Sequence, residues 1–401
     1  MAVRIQKSAV NIREKLAELE RPIGLKGSEL MRAETVQEAR DFVSAGRKNL
    51  VINGDLKVWQ RGTSATLNNS SSQTVKSADR WNHYHSTDGS VTEERSTDVP
   101  TGQGFYYSLK HTVATADSSI AATQYHAHRY DIEGYDVAHL MWGTSYAKPI
   151  TVSFWVKSSL AGDYGFCIRP GPNTSRFYAD KLTITQANTW EYKTFTVPGC
   201  PDGTWEKTTS AGLEVQISHS MGTTYQTSSL RQWTSSLVTS PTTQVNWMGT
   251  VGNTWYITGL QVEVGKNATE FEFRSYGQEL ALCQRYYFSN WGIEGTTLSA
   301  SEEYQTIGAL HRIADSNSSF KAAYFVYPVP MRADPSITLY NGTTADQVAL
   351  QTSTGTTGTA VGQAYNITPY GFMPGNYNGT SVGSSGSSLA VSFKIQASAE
   401  L

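Results

Sequence analysis

The stretch ITVSFWVKSS, residues 150–159, decides the fold of this chain. Its large apolar residues fall on every second position, at Ile150, Val152, Phe154 and Val156. An extended backbone points successive side chains to opposite faces, so these four share one face and Trp155 lies on the other. Alternation over this length predicts a β-strand with one face in a core.

The same pattern recurs along the chain. TWYITGLQVEVG, residues 254–265, alternates throughout, and NLVINGDLKVWQRG, residues 49–62, combines a short apolar run with an Asn-Gly-Asp turn signal. WEYKTFTVPG and GLEVQISHS are shorter strand patterns between these two. Many short strands with turn signals and little helical period predict a β-sandwich of roughly 200 residues. We assign it to residues 49–270.

Residues 1–48 differ because their apolar residues recur at three- and four-residue steps, which predicts amphipathic helix. The stripe comprises Ile5, Ala9, Ile12, Leu16 and Leu19. A capping-box sequence, TVQE at residues 35–38, opens a second helix. Two interpretations stay open. The segment is either a helical hairpin packed on its own β domain, or an anchor and oligomerisation segment whose stripe is buried against partner chains.

FEFRSYGQELALCQRYYF, residues 271–288, interrupts the strands with a short helical pattern dense in aromatics. Strand patterns resume after it, which predicts a helical joint over 271–287 and a smaller C-terminal β-sandwich domain over 288–401. Within that domain, residues 341–386 are mainly Gly, Thr, Ser and Asn, a composition typical of long exposed loops. The predicted fold class is therefore mainly β, with a helical segment at the N-terminus.

Charge excludes two classes of partner. Charged residues are 16% of the chain, below the usual share of about a quarter. The net charge of -2 provides no basic field for nucleic acid and no polybasic anchor for a membrane. No apolar run approaches the length of a membrane span. We therefore expect neither nucleic acid nor a membrane as a partner.

The cysteines indicate the compartment in which the chain folds. Cys167, Cys200 and Cys283 are odd in number and widely spaced, so we expect reduced thiols and folding in a cytoplasm. The first twenty residues contain basic residues but no apolar segment of the kind a signal peptide needs. A polar, aromatic-rich surface without a secretion signal is what we expect of a virion component made in a host cytoplasm.

Several stretches carry a family resemblance. NLVINGDLKVWQRGTS and SADRWNHY resemble the start of a β-jelly-roll domain found in bacteriophage tail-fibre and minor structural proteins, a domain itself similar to carbohydrate-binding modules. The resemblance extends through AKPITVSFWVKSS and is strongest in GLQVEVGKNATEFEFRSYGQELALCQRYY. PVPMRADPSITLY and the terminal ASAEL match the same proteins, and KGSELMRAETVQEARDFVSAG is similar to the helical segment that precedes such domains. The resemblance implies a jelly roll and a location in the virion.

Our hypothesis is a structural component of a bacteriophage virion, a tail fibre that adheres to a host-surface glycan. The N-terminal helices would then contact other virion proteins, and the distal β domain would present its loops to the host. Because a fibre projects from a cyclic-symmetric attachment, we expect a homotrimer. The alternatives are a head-attached fibre or capsid decoration protein, a glycan-degrading tail spike, and a purely structural spacer.

Aromatic residues are the candidates for glycan contact, because a sugar ring has an apolar face that stacks on Trp or Tyr. They are Trp81, Tyr84, Trp155, Trp205, Trp233 and Trp247. The alternative for each is a place in the core, where large aromatics contribute buried area. Trp81 follows Asp79 and Arg80, and there the alternative is a structural residue that pins the first strand to its neighbour.

Two His-x-His pairs are candidates for metal binding. His83 and His85 form one pair, and His126 and His128 form the other. On a strand, both rings of a pair face the same side, which suits zinc or iron, but the sequence places no third ligand. The alternative is ordinary hydrogen-bonded histidines. A structural calcium held by Asp55 and backbone carbonyls is a second metal hypothesis, and we expect no other cofactor.

Motifs for catalysis are lacking in the sequence. It contains no nucleophile elbow, no P-loop, no dinucleotide fingerprint and no HExxH. The adjacent pairs Glu93-Glu94 and Glu302-Glu303 would point to opposite faces of a strand, so neither forms an acid–base pair alone. We therefore expect a protein without enzymatic activity, with a glycan depolymerase as the alternative.

Overall fold

A computed structural model describes residues 48–68, 77–171, 176–291, 311–312, 324–341, 343–352, 357–376 and 388–401. The predicted N-terminal helices, with Ile5, Ile12, Leu16 and Leu19, lie outside the described residues. The prediction of a mainly β chain is confirmed. Strands are numbered below in chain order.

Two six-stranded antiparallel sheets form the larger part of the fold. The first sheet has the spatial order β1 (Ser64–Leu67), β3 (Ser90–Ser96), β4 (Ser108–Thr115), β14 (Thr254–Val264), β6 (Ile150–Ser158) and β9 (Glu191–Val197). The second sheet has the order β12 (Trp233–Thr234), β8 (Phe177–Ile184), β7 (Gly162–Arg169), β10 (Ala211–Met221), β5 (Tyr125–Glu133) and β2 (Trp81–His85). A short parallel pair, β11 (Gln226–Thr227) and β13 (Ser240–Pro241), forms a separate two-stranded sheet.

The inner faces of these two sheets enclose one large hydrophobic core. In β6, the alternating residues Ile150, Val152, Phe154 and Val156 are all fully buried, whereas Trp155 is only partly buried. Burying a side chain of this size contributes roughly 1.5–3 kcal/mol, so the alternation fixes which face of the strand points inward. The result is a sandwich of two packed layers.

Two further sheets follow in the C-terminal part. One has the order β15 (Tyr287–Ser289), β24 (Lys394–Ser398), β18 (Ser336–Asn341) and β19 (Thr344–Ala345). The other has the order β16 (His311–Arg312), β23 (Ser388–Ser392), β20 (Gln347–Thr352), β21 (Thr357–Thr368), β22 (Gly371–Asn376) and β17 (Phe325–Val326). They enclose a second core, in which Phe372, Phe393 and Ile395 are fully buried.

The prediction of long exposed loops over residues 341–386 is wrong for much of that stretch. Strands β20, β21 and β22 fall inside it and pair with one another. Val348 and Phe372 from these strands are fully buried. The prediction failed because it weighed the many Gly and Ser residues of this stretch above its Thr, Val and Tyr residues, which favour strands.

The predicted helical joint contains the helix α2 (Tyr276–Gln284), while α1 (Gly134–Val137) is a single turn after β5. Short 3-10 turns cover Ala138–Leu140, Thr223–Tyr225 and Trp247–Gly249. Ser275 and Gln278 form a reciprocal capping box that starts α2. Cys283 of this helix packs against Ile52 and Val58 from the first residues of the sandwich. Among the described residues, no helix is both long and apolar enough to cross a bilayer.

Buried ion pairs connect the sandwich to the C-terminal residues. Arg80 and Arg61 both reach the carboxylate of Glu400, at 2.5 and 2.8 Å. Arg332 donates to the carbonyl oxygen of Thr209 at 2.6 Å and also to that of Glu400 at 2.9 Å. These contacts, with α2, hold the chain end against the start of the sandwich. The three cysteines are buried and free, as expected.

Candidate functional site

The outer surface of the first sheet carries a group of aromatic side chains that we call the aromatic face, made up of Trp155, Trp190, Tyr192 and Tyr256. Trp155 on β6 pairs across the strands with Tyr192 on β9, and their ring centroids lie 5.2 Å apart. Trp190 and Tyr256 are 6.1 Å apart. Tyr192 is 43% exposed and the other three are partly buried, so the rings offer accessible faces from a firmly held position.

Polar groups lie directly beside these rings. The ammonium of Lys157 lies 4.2 Å from the ring centroid of Tyr256 and forms an ion pair with Asp98. The indole N–H of Trp190 donates to the same carboxylate at 2.9 Å. Partial burial tends to raise the pKa of Asp98, but hydrogen bonds from Lys157 and Trp190 hold it below its ordinary value. The aromatic face therefore combines apolar surfaces with fixed charged donors and acceptors.

The predicted aromatic candidates differ in how far the structure buries them. Trp81 and Trp205 are only 3% and 7% exposed, so the prediction of ligand contact is corrected for both, and they belong to the core. Trp233 is partly buried and packs edge-to-face on Trp205. Tyr84 has one ring face covered by the guanidinium of Arg129, 3.5 Å from the centroid. Trp155 is the predicted candidate that lies within the aromatic face.

A second candidate site lies between the two sheets of the sandwich. Six of the eight histidines of the chain meet there with one carboxylate, and we call this group the histidine cluster. Its members are His83, His85, His111, His126, His128, His219 and Glu93. None of them is more than 3% exposed. A core layer made of imidazoles is unusual because buried polar groups need partners.

Strand register brings the two His-x-His pairs together. His83 lies opposite His128, and His85 lies opposite His126, on the neighbouring strands β2 and β5 of the second sheet. Both residues of each pair are buried because period-two spacing puts them on the same inward face. The pairs that the sequence separates by some 40 positions thus form one patch of four rings.

The first sheet supplies two members that the sequence analysis did not predict. Glu93 on β3 lies opposite His111 on β4, and both point inward toward the four rings. His219 on β10 was also missed, and it follows the inward residue Ile217 by two positions. Trp247, another predicted ligand candidate, is fully buried and stacks on His126 at 5.2 Å, so it forms a wall of this site.

Short contacts join the polar atoms of the histidine cluster. Nε2 of His111 lies 2.8 Å from a carboxylate oxygen of Glu93 and 2.9 Å from Nε2 of His128. Nδ1 of His219 lies 2.9 Å from Nδ1 of His126. Within the described part of the chain, seven ring nitrogens of the cluster have no hydrogen-bond partner, including both nitrogens of His83. Several lone pairs therefore converge on a small volume.

Burial sets the charge of these groups. Desolvation lowers the pKa of all six histidines below their ordinary value, and it lowers that of His111 to about 3. The imidazoles are therefore neutral at pH 7, which is the form that donates lone pairs to a metal. Burial raises the pKa of Glu93 to about 7.

The surroundings of Asp55 differ from those that the calcium hypothesis requires. The Asp55 carboxylate is buried and lies 2.7 Å from the ammonium of Lys57. Burial raises the pKa of this carboxylate. The lysine already takes the place of a cation, so the residues here do not fit a calcium ion.

No protein-family model matches this chain, and no curated protein matches it. Among solved structures, it is similar to the enzymatically active domain of tailspike protein 4 from bacteriophage CBA120 (13% identity, TM-score 0.29), over 54% of this chain and 21% of that one. It is also similar to a CBM4 structure (17%, 0.28), over 53% and 98% of the two chains. A family 11 carbohydrate-binding module from Clostridium thermocellum is similar over 52% of this chain and 99% of that one, at 10% identity and a TM-score of 0.26. This chain thus spans about one-fifth of the tailspike chain.

Proposed function

We propose that this protein is a structural component of a bacteriophage virion, a tail fibre that adheres to a glycan on the host surface. The observation that carries the binding part of the proposal is the aromatic face, where Trp155 and Tyr192 lie side by side on a rigid sheet. The virion part rests on the sequence resemblance to phage fibre and minor structural proteins.

The chemistry of the aromatic face suits a carbohydrate. A sugar ring stacks its C–H face on an aromatic ring, and its hydroxyls need donors and acceptors at the rim of the same site. Lys157 and Asp98 supply both kinds of group next to Trp190 and Tyr256. Because these side chains hold one another in place, little side-chain entropy is lost when a ligand binds.

The same groups favour binding over cleavage. A glycosidase needs one carboxylic acid whose pKa is raised so that it can donate a proton. At the aromatic face, Asp98 is paired with Lys157 and its pKa is lowered, while Glu94 is paired with Lys110 at 2.9 Å. Asp98 therefore lacks the raised pKa of a general acid, which supports binding and not cleavage at this face.

A trimer would compensate for a weak single site. One shallow aromatic face gives modest affinity, and three copies on one fibre multiply it through the effective concentration of the second and third sites. Attachment of the N-terminal helices to other virion proteins would orient the three faces toward the host. Attachment to the capsid instead would make the protein a head fibre or decoration protein with the same binding face.

Binding of the purified full chain to an array of bacterial cell-surface polysaccharides tests this proposal. We expect Trp155→Ala to weaken binding about tenfold, which is 1.4 kcal/mol, because a stacked ring is lost. Tyr135→Ala is the control, since Tyr135 is 62% exposed on α1, away from the aromatic face. A variant shortened within residues 377–387 tests whether the distal region makes the contact.

The results of this binding experiment distinguish the aromatic face from the distal region as the place of glycan contact. Loss of binding in Trp155→Ala with full binding in Tyr135→Ala supports the aromatic face. Full binding in Trp155→Ala would refute it, and loss in the shortened variant alone would move adhesion to the distal region. Release of reducing ends from a bound polysaccharide would show the alternative, a glycan-degrading spike.

A further inference from the structure

We propose that the histidine cluster is a structural metal centre that takes one divalent transition-metal ion of the zinc type between the two sheets. Its ligands are His83, His111, His128 and Glu93. This inference is independent of glycan binding and rests on the geometry of the buried core.

One ring nitrogen of His111 has to serve two partners. Its Nε2 lies within 2.9 Å of both a Glu93 oxygen and Nε2 of His128. If Nε2 of His111 carries a hydrogen, that one hydrogen is donated to Glu93 or divided between Glu93 and His128, and the nitrogen cannot accept from His128. If it carries none, its single in-plane lone pair is wanted by two donors at once. A cation placed among the three atoms receives a lone pair from each and removes the conflict.

The distances fit a metal of small radius. The donor atoms of the four ligands all lie within 4.8 Å of one another. Bonds of about 2.0–2.1 Å to nitrogen and oxygen give a tetrahedron whose edges are about 3.3 Å. The short contacts at His111 need to open by about half an ångström to reach that edge, and separations of up to 4.8 Å need to close by up to about 1.5 Å.

The donor set selects the class of metal. Three neutral imidazoles and one carboxylate suit zinc and its first-row neighbours, whereas calcium and magnesium prefer shells of oxygen ligands. Ser77 orients the carboxylate, because its backbone N–H donates to the other Glu93 oxygen at 3.2 Å. Hydrogen bonds of this kind, from residues that do not touch the metal, hold metal ligands in position.

The unpartnered nitrogens give independent support. Both ring nitrogens of His83 are buried and lack a hydrogen-bond partner among the described residues. A buried polar atom without a partner destabilises a fold, so a chain gains nothing by placing this ring in its core unless something accepts its lone pair. A metal ion gives His83 a role that packing alone does not.

The ligands come from both layers of the sandwich. His83 and His128 lie on the second sheet, and Glu93 and His111 lie on the first. The ion would therefore cross-link the layers, as a disulfide would in an oxidising compartment. Since every ligand is at most 3% exposed, the ion enters while the sheets close during folding and leaves only slowly afterwards.

Refolding of the full chain tests the proposal. The protein is unfolded in guanidinium with a chelator and refolded with zinc, with cobalt, with magnesium or calcium, or with the chelator alone. We expect one zinc retained per chain after gel filtration, and a visible d–d absorption band for the cobalt form. With free zinc 100-fold above its Kd, the ratio of folded to unfolded chain should rise about 100-fold. Magnesium and calcium should have no effect.

Variants locate the site. Glu93→Gln and His111→Gln should each lose the cobalt band or weaken zinc binding by at least about 100-fold, while His139→Gln, an exposed histidine outside the cluster, should behave as the parent. The metal content of the refolded parent decides the question even where a variant does not fold. A parent that refolds to the same thermal midpoint with or without zinc and retains no metal would overturn the proposal.

Discussion

Replacing the buried Arg80 by alanine should destabilise this protein far more than replacing the exposed Arg231 by alanine. The side chain is 1% exposed and its guanidinium contacts the Glu400 carboxylate at 2.5 Å. It also donates to the carbonyl oxygen of Asp131 at 2.7 Å and lies 3.6 Å from the ring centroid of Tyr286. The change therefore removes an ion pair, a hydrogen bond and a cation–π contact from the joint between the sandwich and the C-terminal strands.

The expected cost follows from these contacts. Removing one partner of a buried ion pair costs about 3–5 kcal/mol. Glu400 keeps a second partner, Arg61 at 2.8 Å, so we take the lower end, about 3 kcal/mol. The carbonyl of Asp131 left without its donor and the lost cation–π contact add about 1 kcal/mol each. The sum is about 5 kcal/mol of unfolding free energy.

Arg231→Ala is a matched control for this change. Arg231 also has a positive φ, 61° against 73° for Arg80, and also pairs with a carboxylate, that of Asp180 at 2.9 Å. Its side chain is 73% exposed, so the pair should contribute only about 0–1 kcal/mol. Urea unfolding followed by the fluorescence of the ten tryptophans measures both variants. Equal losses in the two variants would refute the argument that burial decides the value of the Arg80 contacts.

Two further changes test other parts of the fold. Gly54→Ala places a methyl carbon 2.2 Å from the carbonyl oxygen of Leu260 and should cost about 1–3 kcal/mol, whereas Gly277→Ala, with nothing within 4 Å, should stabilise α2 by up to about 1 kcal/mol. A thermal midpoint that moves the same way in both variants would contradict this. Burial raises the pKa of Asp79 to about 6 from 3.8, so the native chain keeps a proton that the unfolded chain has lost, and this contribution disappears as the pH rises from about 4 through 6. The stability of the parent relative to Asp79→Asn should therefore fall by about 3 kcal/mol across that window in urea unfolding, and a difference independent of pH would contradict it.

The strands could be predicted because one side chain in two had to be buried. In β6, the alternation gave the strand and placed Trp155 on the opposite face from Phe154, and the structure agrees. The same reasoning could not separate Trp155 from Trp81, since alternation defines two faces without saying which of them another sheet covers. Trp81 lies on the covered face of β2 and packs on Tyr130, so its ring is not accessible to a ligand.

The histidine cluster shows the same limit more sharply. Each His-x-His pair is a local pattern that the sequence displays, and strand geometry alone puts both rings of a pair on one side. The missing ligands Glu93 and His111 lie on the other sheet, and their distance from His83 depends on how two layers stack. No local spacing encodes that stacking, because it arises from packing of the whole core.

Adjacent residues on the same strand face the two candidate sites. Glu93 points into the histidine cluster while Glu94 points outward to Lys110, and on the neighbouring strand His111 points inward while Lys110 lies outside beside Tyr256. On strands β3 and β4, inward positions therefore hold members of the histidine cluster, and the adjacent outward positions hold polar residues beside the aromatic face. A bond network that fixes Glu93 and His111 also fixes the backbone from which Glu94 and Lys110 project. If the aromatic face binds a glycan as proposed, a metal in the histidine cluster would support that binding indirectly, by holding the sheet rigid behind the aromatic face.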